Sequence, residues 1–330
     1  MSISSLSLIV LAALASAALC GQSQGATPPL QVGFYQGRCG SANVEAIVGG
    51  VVRAWYATKD KTIAAALLRM QFHDCFVNGC DASLLLDGGN SNEKAAIPNR
   101  SVRGYELIDA AKAAVEAVCR GVVSCADIII MATRDAVALS GGERYIVQTG
   151  RRDGTISLAK NVDLPSPSIS VFNSTVAFAK KGLTATDMIY LLGGHTVGAT
   201  HCSLIMDRLY NFRGTGKPDP SMDVTLRMTL VVRCPPNAKV DNNVNLDQNS
   251  TSSMVVDNSY YKQIVKRRGI LQIDQDLALD PLSKPTVEAI ASGSDFNARF
   301  GQAMVKLGGV QVLTGTQGEI RHSCRAVNKR

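Results

Sequence analysis

Apolar residues recur at three- and four-residue spacing along four Ala-rich stretches, 43–58, 62–75, 104–118 and 124–139, which predicts a helix over each. Thr184 and Asp187 form a capping-box pattern with Asp in place of Glu. They open a predicted helix through Leu192 that Gly193-Gly194 terminates. Tyr260 to Arg268 and Asp295 to Leu307 are further helical candidates. Pro- and Gly-rich segments at 161–168, 213–220 and 234–250 predict loops. Strand signals are few and short, and no internal repeat occurs. The pattern predicts a mainly α protein.

One apolar run breaks this pattern. Residues 6–19, LSLIVLAALASAAL, are too few to span a bilayer, lie at the N-terminus and precede small residues. A signal peptide is expected over 1–25, cleaved between Ala17 and Gly25, although only the terminal amine charges its start. No later segment is long and apolar enough for a membrane span. Residues 26–330 are then expected to form a single domain with ample length to bury a core. The first 25 residues carry no Lys, Arg, Asp or Glu, so the mature chain keeps the formal charge of +7. That balance points to acidic surfaces such as polyanionic polysaccharide. The charges do not cluster as nucleic-acid binding requires, and neither nucleic acid nor membrane is an expected partner.

Of nine Cys, Cys20 falls in the leader, leaving Cys39, Cys75, Cys80, Cys119, Cys125, Cys202, Cys234 and Cys324. In an oxidising compartment these imply four disulfides, with 105 connectivities open and only Cys75–Cys80 forced by proximity. A zinc site is disfavoured, since no CxxC pair is present and thiolate ligands need a reducing compartment. Sequons begin at Asn99, Asn173 and Asn249.

The densest chemistry lies in LLRMQFHDCFVNGCDASLLLD. Arg69 and His73 are four apart, on one helical face, and Asp74, Asn78, Asp81 and Ser83 follow within a turn or two. Only four His occur, at 73, 195, 201 and 322. His195 follows LLGG and precedes TVG, where glycines let another group approach the backbone. Spacing alone leaves several metal or acid–base roles open for His73 and His195.

That stretch closely resembles the distal haem motif of the secreted plant (class III) haem peroxidases. EKAAIPN (93–99), VSCADII (123–129), GRRDG (150–154) and LLGGHTVGATHC (191–202) match the same family in order. DNSYY (257–261), GILQIDQDL (269–277) and GEIRHSCRAVN (318–328) complete a resemblance that runs from FYQGRC at 34–39 to the end. It implies a haem-peroxidase fold of about ten or more helices in two lobes around haem, with minimal β structure and four disulfides. Haem b would be held non-covalently, since no C-x-x-C-H motif is present.

Position by position, the resemblance implies His195 as axial iron ligand and Asp274 as the carboxylate that gives it imidazolate character. His73 matches the general acid/base for hydrogen peroxide, Arg69 the cation that stabilises O–O cleavage, and Asn99 the partner of the His73 ring. Asn99 is therefore expected to be unglycosylated, and His73 to stay neutral below its usual pKa of about 6.5. Phe72 belongs to the haem-binding set, and Pro165 matches the haem-edge opening for small phenolic donors.

Two Ca2+ are implied. The distal ion would take side chains of Asp74, Asp81 and Ser83 and carbonyls of Val77 and Gly79, with Glu93 in support. The proximal ion would take Thr196, Asp247, Ser252, the Val255 carbonyl and Asp257. Here the family's Thr-Pro is missing and the segment is about two residues longer, so Ser250 and Thr251 stay open as alternatives. The implied disulfides are Cys39–Cys119, Cys75–Cys80, Cys125–Cys324 and Cys202–Cys234, and Asp127 is expected to pair with Arg152.

Gly40, Glu143 and Tyr145 depart from the family pattern away from the inferred pocket. The chain ends six residues after Cys324, which favours an extracellular, cell-wall location over a vacuolar one, and a monomer is expected. The alternative class is a non-catalytic secreted wall glycoprotein that keeps haem and calcium. A zinc hydrolase using His73 and Asp74 lacks a second ligand motif.

Overall fold

The structure, a computed structural model, describes residues 30–329. The expected signal peptide and its cleavage point lie outside them. Among the described residues there are twelve α-helices and two short strands, in keeping with the mainly α haem-peroxidase fold.

The four Ala-rich stretches become α1 (Val44–Thr58), α2 (Ile63–Val77), α3 (Tyr105–Glu116) and α4 (Cys125–Leu139). Asn43 caps α1 by accepting from the Ala46 amide, and Ser124 caps α4 by accepting from Asp127. α1 packs on α3 and α4, and α2 packs on α4. α2 and α4 differ from α1 and α3 in having no wide polar face. Ile63, Leu67, Leu68, Met70, Cys75 and Phe76 are buried on several sides of α2, each large apolar side chain contributing about 1.5–3 kcal/mol. A helix buried nearly all round carries its polar residues inward, and that is how His73 and Asp74 come to lie in the interior.

α5 (Val171–Ala179) leads to α6 (Ala185–Leu192). Thr184 Oγ1 accepts from the Asp187 amide at 3.1 Å, and Asp187 Oδ2 accepts from the Thr184 amide at 3.0 Å, closing the expected capping box. A 3-10 turn, Gly193–Thr196, then presents His195. β1 (Ala199–His201) and β2 (Asn243–Asn245) pair antiparallel, with Thr200 opposite Val244. The remaining helices are α7 (Met206–Tyr210), α8 (Val224–Arg233), α9 (Ser259–Val265), α10 (Gln272–Leu279), α11 (Lys284–Ser292) and α12 (Phe296–Gly308).

α9 packs on α10 and α11, and α12 packs on both α6 and α2, joining the two groups of helices. They also meet behind His195. Gly198 has φ +92°, and a Cβ there would lie 2.8 Å from the Ala65 methyl on α2. A side chain at 198 would force the His195 segment off α2.

The disulfides are Cys39–Cys119, Cys75–Cys80, Cys125–Cys324 and Cys202–Cys234. Cys125–Cys324 spans 199 residues and ties the start of α4 to the C-terminal segment.

The expected Asp127–Arg152 ion pair is not formed. Asp127 Oδ1 instead accepts from Arg151 Nη1 at 2.8 Å, while Oδ2 accepts from the Gly150 and Arg151 amides and from the Tyr35 hydroxyl. Arg152 turns to the Gln317 and Gly318 carbonyls. The two arginines are consecutive on extended backbone, where neighbouring side chains point to opposite faces, so only Arg151 faces the interior.

Candidate active site

α2 carries Arg69 and His73 one turn apart, and the 3-10 turn Ile97–Asn99 brings Asn99 against them. His73 Nδ1 lies 2.6 Å from Asn99 Oδ1, and Asn99 Nδ2 donates to the Glu93 carbonyl at 2.8 Å. The Glu93 carbonyl can only accept, so it fixes which way the amide faces. Oδ1 then requires a proton on Nδ1, and the lone pair of His73 sits on Nε2. Arg69 Nε stands 3.3 Å from that Nε2. The guanidinium is held from behind, with Nη2 donating to Pro98 O at 2.7 Å and Nη1 to Ser101 O and Oγ at 3.1 Å.

Burial is the larger cause, and the Arg69 charge the next, that together push the His73 pKa down to about 4; the Asn99 contact opposes them. His73 is thus a neutral base over the ordinary pH range. Phe72 is half-buried, meets the His73 ring edge-on, and packs on Phe76 and Phe178.

His195 Nδ1 lies 2.8 Å from Oδ1 of Asp274, a fully buried residue of α10, and the His195 side chain is 30% exposed. With Nδ1 committed to a carboxylate, Nε2 is the nitrogen left for a metal. A Cβ on Gly194 would meet no protein atom within 4 Å, so the chain leaves space beside His195. A neutral base with a cation, a carboxylate-oriented His and this open space fit a haem. Pro165 is half-buried in a loop that reaches the start of α10, because Pro167 O accepts from the Ile273 amide next to Asp274 at 3.0 Å.

The loop after α2 gathers oxygens. Asp74, Asp81, Ser83 and Glu93 are buried, and Asp74 Oδ1, Ser83 Oγ and Glu93 Oε2 have no hydrogen-bond partner. Burial first, and Asp81 second, push the Asp74 pKa well up. Burial raises Glu93 to about 7, with the Asp81 charge adding to it. Orphaned oxygens and mutually repelling carboxylates in one place fit a hard cation. Gly154 makes room, since a Cβ there would stand 2.1 Å from Asp81 Oδ2. The Val77 carbonyl accepts from Lys181 Nζ at 2.9 Å and keeps a second lone pair; the Gly79 carbonyl accepts from the Asp81 amide at 2.8 Å.

On the other side, Thr196 Oγ1 lies 3.3 Å from both Val255 O and Asp257 Oδ1. Ser252 Oγ donates to Asp247 Oδ2 at 2.9 Å. Burial foremost, with Asp257 adding, raises the Asp247 pKa. Ser250 and Thr251 are exposed, and Thr251 Oγ1 turns to Asn249 Oδ1. Of the hydroxyls at 250–252, Ser252 is the one that reaches this cluster, and Ser259 Oγ also donates to Asp247 Oδ1 at 3.3 Å.

Sequence reasoning missed three contacts. Tyr260 donates to Asp274 Oδ1 at 2.9 Å, and DNSYY gave no sign of it beyond the motif itself. Ser101 and Lys181 act on Arg69 and Val77 from 32 and 104 residues away.

These features fit a haem-type centre, and comparison with known proteins shows the family. The family profile described as Peroxidase matches residues 48–293. The chain is 55% identical over 314 residues to Peroxidase 60 of Arabidopsis thaliana, covering 94% of each chain. It is 51% identical over 300 residues to Peroxidase 57 of the same plant, covering 91% of this chain and 93% of the relative. Peroxidase N1 of Nicotiana tabacum is 43% identical over 304 residues, 90% of each. The chain belongs to the peroxidase family, among the plant class III peroxidases. It is an oxidoreductase, and membership implies a haem, hydrogen peroxide and small donors. Among the described residues no helix is long and apolar enough to cross a membrane.

Proposed function

We propose that this peroxidase holds haem b non-covalently through His195 and reduces hydrogen peroxide with His73 as acid/base and Arg69 as charge stabiliser. Small phenols would be the donors, oxidised one electron at a time near Pro165. When bound, the haem would supply a redox-active iron as the source of the two electrons that O–O cleavage consumes.

His73 Nε2 takes a proton from one peroxide oxygen and gives it to the other, which leaves as water. It can do so because Nδ1–H is engaged by Asn99 and burial keeps the ring neutral. The Arg69 guanidinium, anchored by Pro98 and Ser101, is aimed where negative charge develops on the departing oxygen. Asp274 holds the His195 ring in the orientation that directs Nε2 outward. Phe72, packed against His73, Phe76 and Phe178, would line the haem side of α2.

Two Ca2+ would support this arrangement. The distal ion takes Asp74, Asp81, Ser83 and the Val77 and Gly79 carbonyls, backed by Glu93. The proximal ion takes Thr196, Asp247, Ser252, Asp257 and the Val255 carbonyl. We further propose one domain over 26–330, a leader over 1–25, secretion to the wall space, and a monomer. The charge of +7 supports contact with acidic wall polysaccharide.

The observation that carries the reading is the neutral His73 with its lone pair beside Arg69. His73→Leu, loaded with haem and calcium, is expected to keep its Soret band and to consume peroxide about 10²–10⁴-fold more slowly. An unchanged rate would overturn the role of His73.

A further inference from the structure

Asp274 distributes its charge unevenly. Oδ2 accepts only the Leu271 amide, at 3.1 Å, whereas Oδ1 accepts both His195 Nδ1 at 2.8 Å and the Tyr260 hydroxyl at 2.9 Å. Two donors therefore compete for the one oxygen that orients His195. Asp274 and Tyr260 are both buried, so no bulk water stands in for either donor. A carboxylate can only accept, which makes the phenol the donor.

The Tyr260 ring is fixed as well. It meets the His195 ring edge-on, with centroids 6.1 Å apart at 84°, and the Tyr261 ring at 5.0 Å and 78°. Tyr261 in turn donates to Ile189 O of α6, the helix that delivers His195, at 2.7 Å. Gln275 beside Asp274 donates to Ile264 O at 3.0 Å, locking α10 to α9. The distance from the phenol to Oδ1 is thus set by packing rather than by a free rotor.

We propose that Tyr260 is a positioning residue that limits how much of the Asp274 charge reaches His195, and so tunes the electron density offered to the metal. The proposal rests on His195 being the axial ligand. A hydrogen bond from Tyr260 draws negative charge on Oδ1 toward the phenol and weakens the pull on the His195 N–H. Removing the phenol hydroxyl releases that share to His195. The ring then gains imidazolate character, and the ferric state is favoured.

The test uses the haem- and calcium-loaded protein. Tyr260→Phe keeps the ring packing, and it should move the ferric/ferrous equilibrium about tenfold toward ferric. For a one-electron couple that is about 59 mV more negative. The iron–histidine stretch of the ferrous protein should rise in frequency. Placing 3-fluorotyrosine at 260 makes the phenol a stronger donor with nearly unchanged volume, and both readouts should move the opposite way. This second substitution keeps the proposal testable if the Phe variant folds poorly. Shifts of the same sign in both, or no shift in either, overturn the tuning role. If His195→Ala leaves the iron–histidine band intact, His195 is not the ligand, and the underlying reading fails independently of Tyr260.

Discussion

Asn99 Oδ1 stands 2.6 Å from His73 Nδ1, and the same amide donates through Nδ2 to the Glu93 carbonyl. One side chain therefore fixes both the tautomer of the base and the distance between two segments of the pocket. Asn99→Val deletes the acceptor and frees Nδ1–H. Losing such a buried bond costs about 1 kcal/mol or more, about fivefold or more in rate. The expected outcome is a peroxide reaction slowed at least that much, measured by stopped flow, with the haem still bound. Because Asn99 is buried and its nitrogen engaged, peptide mass analysis should find it without glycan even where the exposed Asn173 carries one.

The pH dependence follows from burial of the same base. His73 titrates at about 4, depressed first by desolvation and then by Arg69. A depressed base loses its lone pair only as pH falls through that value. The second-order peroxide rate should therefore stay level from neutral pH down to about 5 and fall below it. Arg69→Leu removes the second cause, so its acid limb should move upward while the rate drops. A limb that stays in place would separate Arg69 from the state of His73.

Calcium removal should expose the carboxylates at the end of α2. Without a cation, Glu93 is raised to about 7, mainly by burial, against an ordinary carboxylate value of about 4.3. A raised folded value gives stability that is present below the unfolded value and lost as pH climbs through the folded one. Chelated protein should thus melt progressively lower as pH rises from about 4 to about 7. Calcium should flatten that slope and raise Tm, by about 2.7 kcal/mol of stability at a hundredfold excess over Kd. Thermal scans at several pH values, with chelator and with calcium, measure both effects.

Arg151 and Arg152 offer a sharp contrast. Arg151 is fully enclosed with Asp127 and also donates to the Gly308 carbonyl of α12. Arg151→Ala strands a buried carboxylate and is expected to cost about 3–5 kcal/mol. Arg152→Ala loses only partly exposed contacts to carbonyls and should cost about 1 kcal/mol or less. Denaturant midpoints of the two variants decide the assignment.

What could be read from sequence follows the same physics. The helices α1 to α4 were legible because each is long enough to show its period. The eight residues of α6 were legible through the Thr184–Asp187 cap, whereas α10 and the five-residue α7 begin after Leu271 and Ile205, which give no capping signal. Arg69, His73, Asp74 and Asp81 stood out as polar residues inside an apolar segment. His195 and Asp274 are 79 residues apart, and nothing local pairs them; only the family resemblance did. Resemblance also misassigned the Asp127 partner, since two adjacent arginines look alike until the backbone direction at 150–152 is known. Tyr260, in a motif whose Asp was noticed first, needed the geometry of Asp274 to gain a role.

The most direct measurement is stopped-flow absorption of the purified, haem- and calcium-loaded ferric protein mixed with equimolar hydrogen peroxide. A fast fall in Soret intensity is expected, reversed by adding a phenol and strongly slowed in His73→Leu. A Soret band indifferent to peroxide, or one that responds equally in His73→Leu, would contradict the acid/base role of His73 at the centre of this reading.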